Sequence, residues 1–91
     1  MKTAIVTGGT SGIGLAAAKN FLAHDFNCVV VGRNPARFEQ IKAALVGNVE
    51  FVAADVRRVA DCEKIVTRTI ERFGGVDVLI NSAGMLGSAF V

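Results

Sequence analysis

A chain of 91 residues, 52% hydrophobic and 20% charged, has the composition of one globular domain with a packed core, which excludes a disordered chain. Its net charge of +2 comes from interspersed acids and bases, and no Lys/Arg block stands beside aromatic residues, so a nucleic-acid interface has no footprint. No apolar run approaches the ~20 residues that span a bilayer, and Met1-Lys2-Thr3 before a short apolar run is not a secretory signal, so the expected location is cytoplasmic.

In chain order, Lys2 to Thr7 reads as a short buried strand, and Ile13, Ala17, Phe21 and Leu22 then recur at helical spacing until Asp25-Phe26-Asn27 interrupts them. Cys28 to Val31 is a second apolar run. Gly32-Arg33-Asn34-Pro35 breaks it, and Phe38, Ile41 and Leu45 form a helical stripe that stops at Gly47. Val49 to Ala54 reads as a third strand. Val59, Cys62, Val66 (or Ile65), Ile70 and Phe73 give a third helix closed by Gly74-Gly75, and Val76 to Asn81 is a fourth strand. Continuous rather than alternating apolar strands, separated by helices, predict a parallel sheet built from right-handed βαβ crossovers and buried on both faces. The expected class is α/β, three-layered, as a single domain over residues 1–91. Cys28 and Cys62 form no CxxC pair and no His cluster accompanies them, so two reduced, buried thiols and no metal constellation are expected.

The stretch Thr7-Gly8-Gly9-Thr10-Ser11-Gly12-Ile13-Gly14 falls in the first strand-to-helix turn. There the unpaired N–H groups and the positive end of the helix dipole can hold a phosphate. Gly8 and Gly9 permit the tight turn, Gly12 leaves room for a ligand, and Gly14 lets the helix pack closely on the sheet. No Lys-Ser/Thr follows the last glycine, so the turn is not a Walker loop. Gly8, Thr10, Ser11, Gly12, Ile13 and Gly14 are therefore candidate contacts for a dinucleotide.

About 20 residues beyond such a turn, dinucleotide folds carry an acid that binds the adenosine ribose. This chain has Gly32-Arg33-Asn34 at that place. Arginine offers a planar, permanently charged fork suited to phosphate. Arg33 and Asn34 thus point to a 2′-phosphate and to NADP over NAD.

These residues resemble the short-chain dehydrogenases/reductases. Thr7-Gly8-xxx-Gly12-Ile13-Gly14 matches that family's TGxxxGxG turn, Asp55-Val56 matches the pair after its third strand, and Asn81-Ser82-Ala83-Gly84 resembles its NNAG motif with one Asn→Ser departure. The resemblance implies a Rossmann-type sheet of order 3-2-1-4, with Asp55 and Val56 at the adenine and Asn81, Ala83 and Gly84 on the nicotinamide side. An arginine at the place of Arg33 is typical of NADP-preferring members, whereas Ser11 stands where many of them have a second basic residue.

The resemblance also implies hydride transfer between nicotinamide and a carbonyl or hydroxyl carbon, with the tyrosine of a Tyr-xxx-Lys motif as acid/base. The chain contains no tyrosine, so no catalytic residue is assigned within it. It is expected to be the amino-terminal, NADP(H)-binding portion of a larger doubly wound fold, inactive alone. Its small-molecule substrate would be met only by a complete parent. Self-association through an exposed fourth strand is expected. The alternative from a different class is a stand-alone dinucleotide-binding regulatory or interaction module. His24, at the far end of the first helix, reads as a solvated helix terminus, and Arg57-Arg58 as a solvated turn.

Overall fold

The computed structural model describes residues 1–82, in which four parallel strands form one sheet of order β3-β2-β1-β4. The elements run β1 (Thr3–Thr7), α1 (Gly12–Ala23), β2 (Asn27–Gly32), α2 (Pro35–Ile41) continued by a 3₁₀ turn (Lys42–Ala44), β3 (Val49–Ala53), α3 (Val59–Phe73) and β4 (Val78–Asn81). The expected class and strand order are both present, and β1 is flanked by β2 and β4 in register, with Thr7 opposite Val31 on one side and Asn81 on the other. All four strands therefore end at one edge.

Burial follows the two faces of the sheet. Val6, Cys28 and Val30 pack with Ala18 and Leu22 of α1 and with Leu45 on one face, with Phe38 and Ile41 of α2 against them. Ile5, Val29, Val31 and Val52 pack with Ile65 of α3 on the other. Side chains alternate across the pleat, so an unbroken apolar strand such as Cys28-Val29-Val30-Val31 serves both cores at once. Phe38 stacks on Phe51 at 4.6 Å between ring centroids, which seats α2 over β3.

At the end of the sheet away from the glycine turn, polar groups interlock. Asn27 Nδ2 donates to Thr3 Oγ1 at 3.2 Å, Asn48 Nδ2 donates to Asn27 Oδ1 at 3.1 Å, and Thr3 N–H donates to Asp77 Oδ2 at 2.8 Å. His24 caps α1 as expected, exposed, with Nδ1 at 2.8 Å from the Asn20 carbonyl oxygen.

Several expectations need correction. The helical stripe read through Ile13 does not mark the buried face of α1: Ile13 is exposed at the helix start, where the dinucleotide-contact reading places it, and the buried positions of that helix are Gly14, Ala18 and Leu22. Leu45 is buried but lies past α2, because the chain tightens into the 3₁₀ turn before reaching it. On α3 the apolar ridge of Val59, Cys62, Val66 and Ile70 faces outward, Ile70 being 51% exposed, while Ile65 and Thr69 face the sheet. The helix carries two apolar ridges, and Thr69 is admitted to the buried one because its hydroxyl donates to the Ile65 carbonyl at 2.7 Å. Glu50 of β3 ion-pairs with both Arg68 and Arg72, which orients α3 in the same sense. Cys62 is consequently exposed, whereas Cys28 is fully buried.

Burial pushes the Cys28 thiol up to about 11. A raised folded-state value means that stability is intact below the ordinary thiol range and falls as the pH rises from there through about 11. A thiol-reactive dye at neutral pH is expected to label Cys62 in the native chain and to reach Cys28 only after unfolding; immediate labelling of both would contradict this packing.

Candidate functional site

The turn between β1 and α1 is pinned from below: the N–H groups of Gly8 and Gly9 both donate to the Val31 carbonyl, at 2.9 and 3.2 Å. Gly8 and Gly12 adopt φ of 68° and 57°, in the left-handed region that glycine enters without penalty. At Gly12 a Cβ would meet nothing within 4 Å, so this position opens onto free space. Gly14 is the opposite case: a Cβ there would run into the Gly8 carbonyl oxygen and the Ser82 hydroxyl.

Ser11 occupies the N-cap of α1, yet its side chain makes no capping hydrogen bond, and no acid lies in the first turn. The first-turn N–H groups of a helix lack intrahelical partners, so those of α1 remain available to an anion. α2 differs. Asn34 accepts there from the N–H groups of Ala36 and Arg37, at 3.0 and 3.4 Å. Arg37 in turn donates from Nε to the Thr10 carbonyl at 3.1 Å and ties α2 to the glycine turn.

A cleft of about 700 Å³ lies over the ends of the strands, within the range of small-molecule sites. Gly8, Thr10, Ser11, Gly12, Ile13, Gly14, Arg33, Asp55 and Val56 all line it, so the structure brings nine of the residues singled out from the sequence to one place. Asn34 and Asn81 do not line it. The Asn34 side chain caps α2, and the Asn81 side chain accepts the Thr7 hydroxyl at 2.8 Å. Ala83 and Gly84 lie outside the described residues. Ile13, apolar and exposed, gains a rationale as part of the lining.

Sequence reasoning missed five lining residues, Val31, Gly32, Ala54, Arg57 and Ser82, and two of these carry polar side chains. Ser82 donates its hydroxyl to the Thr7 carbonyl and lines the cleft beside Gly14. Its place in the NNAG-like stretch was the available signal. Arg57 is the other. It lies in an exposed turn, as expected, and its side chain also folds back on Asp55 and faces the cleft. The hydrogen bonds from Arg57, with a smaller attraction from Arg33, hold the Asp55 carboxyl well below the usual carboxylate range. The pair's contribution is thus present above that range and lost only as the pH falls through the depressed value. Asp61 Oδ2 accepts the Asp55 N–H at 2.7 Å, fastening the loop to the start of α3.

A cleft at the carboxyl ends of parallel strands, floored by a glycine turn that opens a helix, is the arrangement of a dinucleotide-binding α/β fold. The short chain dehydrogenase family model matches residues 2–91, and the chain belongs to that family. It is 39% identical over 87 residues to the D-beta-hydroxybutyrate dehydrogenase of Cupriavidus necator, an alignment covering 92% of this chain and 34% of that protein. The 3-ketoacyl-(acyl-carrier-protein) reductase from Brucella melitensis, solved in complex with NADH, superposes with a TM-score of 0.79 at 35% identity, over 86% of this chain and 32% of that one. An alcohol dehydrogenase from the archaeon Thermococcus sibiricus, complexed with 5-hydroxy-NADP, superposes with a TM-score of 0.79 at 31% identity, over 87% and 35%. The chain spans about a third of the length of the curated relatives it matches. Among the described residues no helix is long and apolar enough to cross a membrane.

Gly14→Val is expected to lower stability by about 3 kcal/mol or more, since overpacking typically costs about 1–3 kcal/mol and here the obstacle includes main chain. Chemical denaturation measures this. Wild-type stability in the variant would show that the helix start is not held as described.

Proposed function

We propose that this chain is the NADP(H)-binding portion of a short-chain dehydrogenase/reductase whose complete form transfers hydride between the nicotinamide and a carbonyl or hydroxyl carbon of a small molecule. One observation carries the reading: the cleft combines an uncapped helix start over a glycine turn with an arginine, Arg33, at the end of β2 where an acid would favour NAD. The NADH and 5-hydroxy-NADP complexes of the two structural relatives support the cofactor class.

Bound NADPH supplies the hydride; the residues of this chain bind and orient it. The first-turn N–H groups of α1 take the pyrophosphate, helped by the absence of an acid in that turn. Arg33 pairs with the 2′-phosphate. Arg37 is held against the Thr10 carbonyl by one N–H, and its charge adds to the field at that end of the cleft, offsetting the missing base at Ser11. Asp55 and Val56 border the adenine. Asn81, which ends β4, and Ala83 and Gly84, beyond the described residues, serve the nicotinamide side, and the Ser82 hydroxyl bonds to the Thr7 carbonyl beside the end of β4.

β4 is an edge among the described strands, and Leu79 on it is 62% exposed on the side that α3 leaves uncovered. An unpaired strand edge beside apolar surface is a template for association, so the 91-residue chain pairs with further copies of itself.

Arg33→Ala is the first test. Charge-assisted hydrogen bonds contribute roughly 1.5–3 kcal/mol, so the substitution should weaken NADP(H) by about ten- to a hundredfold and leave NAD(H) nearly unchanged. Titration of both cofactors decides it, and equal losses would defeat the assignment. Light scattering checks association: Leu79→Lys should lower the apparent mass, and a monodisperse wild-type monomer at high concentration would refute it.

A further inference from the structure

Asp55 forms an ion pair with Arg57 at the cleft. Its Oδ1 accepts both the main-chain N–H and Nε of Arg57 at 3.0 Å, and its Oδ2 accepts Nη2 at 2.9 Å. A carboxylate has about four lone-pair positions and a guanidinium has five N–H donors. Two positions on Oδ1 and one on Oδ2 are taken, leaving one acceptor on Oδ2. The guanidinium uses two donors on Asp55 and keeps the others free, on a side chain 73% exposed at the cleft. The pair therefore presents an acceptor and donors side by side, with little net charge.

The fold does not call for this pairing. Exposed ion pairs contribute little to stability, and the loop is already fastened by Asp61 on the Asp55 N–H. The consequence lies with the ligand and rests on the dinucleotide reading, in which the edge of a purine base faces Asp55. A bare carboxylate would accept from a 6-amino group and repel a 6-oxo oxygen. Pairing with Arg57 removes the repulsion and offers the oxygen a donor.

We propose that Arg57 makes this base contact two-sided: where the dinucleotide reading has Asp55 accept from the 6-amino group of adenine, the Arg57 guanidinium donates to a 6-oxo group, so that hypoxanthine dinucleotides enter the cleft as readily as adenine ones. Specificity is a difference of affinities, and here the element that would reject the second base is neutralised by its neighbour.

The test titrates the chain with NADPH and with its reduced hypoxanthine counterpart, following nicotinamide fluorescence; the chain has no Trp or Tyr to interfere. Wild type should bind the two within about threefold of each other. Removing a single charge-assisted donor is felt at about tenfold, so Arg57→Ala should weaken the hypoxanthine ligand about tenfold more than NADPH. Arg57→Lys, which retains the charge and a donor, should recover much of the hypoxanthine binding that Arg57→Ala loses. Rejection of hypoxanthine by wild type, or equal weakening of both ligands in Arg57→Ala, overturns the two-sided contact while NADPH binding leaves the dinucleotide reading standing. Failure of wild type to bind either ligand overturns both. Circular dichroism of each variant separates these outcomes from misfolding.

Discussion

The site depends on the absence of one atom. Because residue 14 has no Cβ, the start of α1 settles against the Gly8 carbonyl and the Ser82 hydroxyl, and the helix begins directly at the strand ends. Any side chain there would lift the helix away from β1. Its free N–H groups would then no longer meet the cleft formed by Arg33, Asp55 and Val56. The two N–H groups donated by Gly8 and Gly9 to Val31 hold the turn from the β2 side, so the contacts that shape the anion site also join the two central strands.

The charge pattern around the cleft is uneven in an informative way. Among the described helices, α2 has its start closed by Asn34, and α3 carries Asp61 in its first turn, whose carboxylate is engaged by the Asp55 N–H. Only α1 combines an uncapped start with no nearby acid, and only its start borders the cleft. Helix dipoles are present in all three, but local side chains neutralise two of them as anion sites. Three arginines, Arg33, Arg37 and Arg57, gather at the adjoining ends of β2, α2 and β3, and Asp55 balances one.

Much of this is legible in the sequence because the signals are local. Continuous runs such as Val29-Val30-Val31 disclose strands covered on both faces, and Gly8, Gly12 and Gly14 announce a turn that a side chain would spoil. What escapes depends on tertiary placement. α3 has apolar residues on two sides, and its tertiary contacts, Ile65 in the core with Phe73 packed against it and Arg68 and Arg72 on Glu50 of the neighbouring strand, show which one turns inward. Ile13 falls in the helical stripe and in the glycine turn alike, and it is the turn that marks it as cleft lining, because periodicity cannot separate a residue that lines a cleft from one that lines the interior. For Arg57, a two-residue separation in a loop says nothing about whether the side chain folds back, which the main-chain N–H bond to Asp55 decides. Asn34 stands beside Arg33 in the chain, while its side chain serves the helix that follows.

The interlocked amides at the opposite end of the sheet bear on how the chain finds its alignment. Parallel strands are paired across long stretches of chain, and a slip of one residue exchanges their faces. The uniformity of β2 makes apolar packing a poor judge of such slips, since Val29, Val30 and Val31 can substitute for one another. The Asn27, Thr3 and Asn48 contacts discriminate where the valines cannot: a misaligned strand would leave buried amide and hydroxyl groups without partners, at about 1–3 kcal/mol for each. They act as a proofreading device for alignment, so the edge that binds ligand owes its correct assembly to polar residues at the far end of the same strands.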